Sequence, residues 1–112
     1  MVKDNFVRIR HMLDAAHAIS SFIQTNSRQN LENDLMFSSA LIRQLEILGE
    51  AATGITTDFK EAHANIPWHK IIGMRNRLIH AYFDVDLDIL WYAVTIEIPK
   101  IIPELQTILA NK

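Results

Sequence analysis

Met74-Arg75-Asn76-Arg77-Leu78-Ile79-His80-Ala81-Tyr82-Phe83 is the stretch from which the rest of the chain is best understood. It sets Arg, Asn, His and Tyr within eight residues, on a segment whose apolar positions recur at helical spacing. Ile71, Met74 and Leu78 step by three and four, which draws an apolar stripe down one side of a helix. With Arg75 at zero on a wheel of about 100° per residue, Asn76 falls at about 100°, His80 at about 140° and Tyr82 at about −20°. The stripe sits at roughly 260–320° on the same wheel, so one side can be buried while the polar wedge is presented. Arginine beside histidine suits phosphate chemistry, although spacing and charge alone favour a plain solvated face over a functional site. The guanidinium can hold two phosphate oxygens through parallel hydrogen bonds, and the imidazole moves protons near neutral pH. Asn76 and His80, at i and i+4, can hydrogen-bond and so fix the imidazole tautomer.

Charge follows the motif. Ala62 to Phe83 contains no Asp or Glu, while Lys70, Arg75 and Arg77 give the stretch a formal +3. The whole chain carries −2, leaving −5 for the remainder, so this is a local basic surface on a mildly acidic protein. A sequence pI near 6.2 excludes a protein that coats nucleic acid generally, and any such contact has to be focused on one patch. His63 and His69 flank the basic helix and read first as surface, with a secondary contact to nucleic acid as the lesser alternative. His11 and His17 read as surface.

Outward from the motif the helical pattern continues. Pro67 fits the first turn of the motif helix, where its missing N–H costs nothing. Downstream, Asp84 and Asp86 place negative charge at a helix start, and Leu87, Leu90, Trp91, Val94, Ile98 and Ile101 give that helix a broad buried face. Pro99 and Pro103 are expected to kink or split it. Upstream, Asp34 caps a helix in which Ser38, Leu41, Leu45, Leu48, Ala52 and Ile55 form a packing seam. Gly49 within it can let another helix approach closely. Asp4 opens a first helix running to about Gln24, with Asn26–Asn30 as a loop and Thr56–Asn65 as a connector. No alternating strand pattern, repeat or low-complexity tract interrupts this. The expected fold is all-α: an up-and-down four-helix bundle with a fifth short or kinked C-terminal segment, and residues 1–112 as a single domain.

Two other constellations read as structural. Arg43, Glu46 and Glu50 share one face of the second long helix, and an ion-pair role is favoured over a cation site, with the acids either held by Arg43 or facing the basic helix. Asp84, Asp86 and Asp88 lack the glycine and terminal glutamate of a calcium loop, and capping accounts for them better. With 49% hydrophobic and 21% charged residues in 112, the chain can build a core and is too short for two domains. It has no cysteine, which excludes disulfides, thiolate metal sites and a catalytic thiol. The N-terminus lacks the apolar run of a signal peptide, and no stretch is long enough to span a bilayer, so a cytoplasmic protein is expected.

Arg75-Asn76-x-x-x-His80-x-Tyr82 resembles the R-x4-H-x-Y motif of the HepT group of HEPN-domain proteins, the toxin halves of HEPN/MNT toxin–antitoxin pairs. Ile42-Arg43-Gln44-Leu45-Glu46-Ile47-Leu48-Gly49-Glu50-Ala51-Ala52 looks like that family's second-helix signature. Ile66 to Arg77 looks like its lead-in, and Phe83 to Trp91 its continuation, so the likeness covers roughly residues 40–92. The resemblance implies a metal-independent endoribonuclease without cofactor, of a type VII-like pair, acting as a homodimer whose two motifs face each other. It implies Arg75 and His80 as the catalytic pair, with Asn76, Arg77 and Lys70 supporting or contacting RNA and no metal ligands. It further implies an MNT-type nucleotidyltransferase antitoxin that silences the toxin by AMP transfer to Tyr82 and can join it in a larger complex. A second reading, from another class, is a non-catalytic HEPN helical module that binds a nucleotide or a partner nucleotidyltransferase. A third is a purely structural helical dimer.

Overall fold

Four stretches of apolar residues at steps of three and four give four long helical rods, with short helices filling two of the connections. In the computed structural model, residues 2–80 and 85–112 are described, apart from the side chains of Val2, Lys3, Ile79 and His80. Helix α1 spans Val2–Gln24, α2 Asn30–Asn33, α3 Leu35–Thr53, α4 Thr57–Ala62 and α5 Trp68–His80. Helix α6, Leu87–Tyr92, runs through a π-helical turn at Ala93–Glu97 into α7, Ile98–Ala110. The described residues contain no strand. The fold is the expected all-α HEPN-like bundle, with α1 packed on α3 and α7, and α3 on α5.

The seams close as their spacing requires. Leu41, Leu45, Leu48 and Ala52 of α3 meet Ile9, Met12, Ala16 and Ile19 of α1 in one buried cluster that also takes in Ile98, Ile101 and Leu105. Each fully buried aliphatic side chain of this kind contributes roughly 1.5–3 kcal/mol over its exposed state. Three caps mark helix starts. Asp34 accepts from the Phe37 amide, Thr56 from the Phe59 amide, and Asp86 from the amides of Asp88 and Ile89. Asn5 is buried in α1, where it donates to the Thr56 hydroxyl at 3.1 Å and accepts from the Thr56 amide at 3.1 Å, pinning the start of α4 against α1. Trp68 is buried and its indole N–H donates to the carbonyls of Lys60 and His63. The first residue of α5 thus adds a donor to two carbonyls at the C-terminal end of α4, one of them the C-cap's.

Three details differ from the sequence reading. The polar segment after α1 contains a helical turn, α2, anchored by buried Leu31, and the connector before Pro67 contains α4. Pro67 precedes α5 by one residue, its carbonyl accepting from the Ile71 amide. The last rod widens instead of breaking. Pro99 has no N–H to offer and its ring crowds the carbonyl four residues back. The amide just before it, Ile98, reaches back five residues to the Ala93 carbonyl. Helix α7 then continues through Pro103.

Candidate active site

Helices α3 and α5 approach closely where α3 carries Gly49. A Cβ on that residue would lie 2.2 Å from the Arg75 Cβ, 2.8 Å from its Cγ and 3.3 Å from the Ile71 carbonyl oxygen. The Arg75 stem therefore lies directly on the α3 backbone, as the expectation of close approach at Gly49 required. On the inner side of α5, Ile71 and Leu78 are buried and Met74 packs against the core. On the outer side Asn76 and Arg77 are exposed. Arg75 lies at the boundary between the two, with 25% of its side chain accessible. It is not entombed.

The guanidinium is held on several sides. Its Nη2 donates to Glu50 Oε2 at 2.6 Å, and its Nη1 donates to Asn76 Oδ1 at 2.9 Å. Its Nε is buried and has no partner among the described residues. Arg75 can therefore meet a substrate only through its terminal nitrogens. Glu50 is the next residue after Gly49, so one step of α3 supplies both the space for the arginine and a carboxylate for its head.

The other predicted residues divide. His80 is the last residue of α5, five positions beyond Arg75 on the same helix. Its side chain lies outside the described residues, and so does the whole of Tyr82, the expected modification site. The Asn76–His80 hydrogen bond falls there too. Lys70 is exposed at the start of α5, but its Nζ meets Glu97 Oε2 at 2.5 Å. That hydrogen bond and the charge of Glu97 hold the Lys70 ammonium above its ordinary pKa. Arg77 has no ion-pair partner among the described residues; it lines a cleft of about 160 Å³ between α5 and α6, over Met74, Leu78, Ile89 and Leu90. Val85 and Asp86 complete the lining, so the cleft is mainly apolar with one cation and one carboxylate on its walls.

Two of the three cations of the basic stretch are thus met by acids from elsewhere in the chain. Glu50 had a visible signal in its shared face with Arg43 and Glu46, and the Arg43–Glu46 contact at 3.7 Å completes that reading. Glu97 had none, since it lies 27 residues from Lys70 on a turn whose register the prolines set. Of the acidic trio after the motif, Asp86 caps α6, Asp88 bonds Arg28 at 2.8 Å, and Asp84 is outside the described residues. His63 packs its ring on Phe59, with centroids 4.5 Å apart, and takes no part in the site.

Residues 12–108 match the protein family described as "Ribonuclease HepT-like". This chain belongs to the HepT-like ribonuclease family. Its relatives agree. It is 38% identical over 97 residues to a Methanocaldococcus jannaschii protein named "Putative RNase MJ1380", covering 87% of this chain and 89% of that one. It is 39% identical over 93 residues to the Thermococcus cleftensis protein named "Probable ribonuclease HepT", covering 83% and 84%. A Caldanaerobacter subterraneus protein named "Putative RNase TTE0752" is 34% identical over 104 residues, 93% of each chain. No solved structure gives a significant match. The HepT-like motif thus sits on α5 and the segment after it, and none of the helices among the described residues is long and apolar enough to cross a membrane.

Proposed function

We propose that this HepT-like chain is a metal-independent endoribonuclease, the toxin of a HEPN/MNT pair, with Arg75 and His80 as its catalytic pair. The observation that carries the reading is the Arg75 side chain, its stem packed on Gly49, its Nε turned inward and its terminal nitrogens left at the surface, on the helix that ends at His80. RNA brings its own nucleophile. The 2′-hydroxyl attacks the adjacent phosphorus, the bond to the 5′ oxygen breaks, and the products are a 2′,3′-cyclic phosphate and a free 5′-hydroxyl. The reaction needs a base for the 2′ proton, an acid for the leaving oxygen and positive charge on the phosphorane. One imidazole cannot stand on both sides of a phosphorus. In a two-fold dimer one His80 takes the 2′ proton, the partner copy protonates the leaving oxygen, and paired Arg75 groups stabilise the charge.

The test is digestion of RNA in EDTA with the ends analysed. The expected result is cleavage that leaves 2′,3′-cyclic phosphates, and a rate per protomer that collapses when the protein is diluted below its dimer dissociation constant. Cleavage only after metal is added back would overturn the mechanism, and full activity as a monomer would overturn the shared site.

Silencing follows from the same motif. An MNT-type nucleotidyltransferase that attaches AMP to Tyr82 puts a bulky anion two residues beyond His80 in sequence, where it pairs with the site's arginines and obstructs RNA. Tyr82→Phe is expected to keep cleaving RNA while escaping inhibition by the transferase and ATP, with no AMP adduct by mass spectrometry. Inhibition of that variant through AMP transfer would move the modification elsewhere.

A further inference from the structure

Arginine carries five N–H donors, one on Nε and two on each terminal nitrogen. In this site the Nε donor is buried without a partner among the described residues, one Nη1 donor goes to Asn76 and one Nη2 donor to Glu50. Among the described residues one N–H therefore remains on each terminal nitrogen to meet a phosphate oxygen. Glu50 thus holds the guanidinium without consuming its phosphate-binding capacity. Its carboxylate is itself 62% exposed, so it stands at the rim of the site and not under it. Gly49 fixes the arginine stem by letting it lie on α3, but a stem so placed leaves the last torsions of the side chain free to turn. Glu50 and Asn76 are the groups that stop them.

We infer that Glu50 is a positioning residue of this site: its carboxylate aims the Arg75 guanidinium at the scissile phosphate. The inference rests on the reading of Arg75 as the phosphate-holding group. Asn76 alone, bonded to Nη1, leaves the head group a pivot about that bond. With Glu50 on Nη2 the plane of the guanidinium is set. The acceptor is what matters, and the negative charge opposes the approach of an anionic substrate. An exposed ion pair holds weakly, so the loss on removal is a modest one in rate.

The experiment compares wild type, Glu50→Ala and Glu50→Gln on an RNA oligonucleotide, with kcat and KM separated and the pH profile recorded. Glu50→Ala is expected to lower kcat by about three- to fivefold with KM and the profile's shape unchanged. Glu50→Gln keeps an oxygen acceptor of the same reach and is expected to recover most of that loss. Equal activity of Glu50→Ala and wild type would overturn the inference. So would a lower KM and faster cleavage in either variant, which would make Glu50 a competitor of phosphate. Glutamine as inactive as alanine, with the acidic limb of the profile gone, would make Glu50 a proton acceptor instead. Arginine side-chain nitrogen-15 spectra give a readout independent of cleavage. The Arg75 terminal nitrogens should rotate slowly in wild type and Glu50→Gln and average in Glu50→Ala. If wild type cleaves no RNA, the nuclease reading fails by itself, while unchanged Arg75 rotation in Glu50→Ala would sink the positioning role separately.

Discussion

His80→Ala is expected to leave RNA cleavage about 100- to 10,000-fold below wild type, with the melting temperature unchanged. That range is what one positioned proton-transfer group contributes; the variant removes base and acid together, and groups that act as a unit lose little more jointly than singly. Arg75→Ala should fall about 100- to 1,000-fold, the usual loss when one donor to a developing oxyanion is deleted. The physical point is that neither loss should come from unfolding. Truncating Arg75 frees a Glu50 carboxylate that already faces water, so no unpaired charge is left buried. Single-turnover cleavage, with helicity and melting followed by circular dichroism, separates the two causes. Arg75→Lys should rescue little, because an ammonium is a point charge without the paired donors of a guanidinium. Folded protein with wild-type cleavage after either alanine substitution would dismantle the catalytic assignment and leave the non-catalytic module as the better account.

Gly49→Ala is expected to destabilise the fold, whereas Gly73→Ala is expected to stabilise it. Alanine is favoured over glycine in a helix interior by about 1 kcal/mol, and both residues are helical, so propensity alone gives the two substitutions the same sign. Tertiary contact separates them. A Cβ at Gly73 meets nothing within 4 Å, so the gain is realised. A Cβ at Gly49 falls on the first two carbons of Arg75 and near the Ile71 carbonyl, and neither the Arg75 Cβ nor that carbonyl can give way without moving α5. Overpacking of that kind costs about 1–3 kcal/mol, enough to offset the propensity and leave a net loss. At about 4–8 °C per kcal/mol for a domain of roughly this size, Gly49→Ala melts several degrees lower and Gly73→Ala several degrees higher. Gly49→Ala should also cleave RNA more slowly, since the shift of α5 carries Arg75 with it. A Gly49→Ala protein as stable as wild type would contradict the close crossing of α3 and α5.

The sequence by itself determined the helices, their buried faces and the motif. Steps of three and four are local and repeat over many turns, so the seams of α1, α3 and α7 and the caps at Asp34 and Asp86 could be read without a fold. Short elements were harder. Helices α2 and α4 are stabilised by one buried Leu31 and by the Trp68 and Asn5 contacts from outside, too few positions to make a period. The π turn before Pro99 is a response to a missing donor, and it resets the register that carries Glu97 to Lys70.

What only the tertiary structure decided is the company Arg75 keeps. Its run of sequence is free of acids, and along the chain it reads as a basic patch. In space, Glu50 arrives from 25 residues away and Glu97 meets Lys70 across the same helix, so much of that charge is neutralised where it stands. Coulombic pairing depends on distance through space, which a helical wheel drawn for one helix does not contain. Gly49 and Glu50 could be singled out on α3, but that their turn lies against Arg75 follows from the way two helices cross.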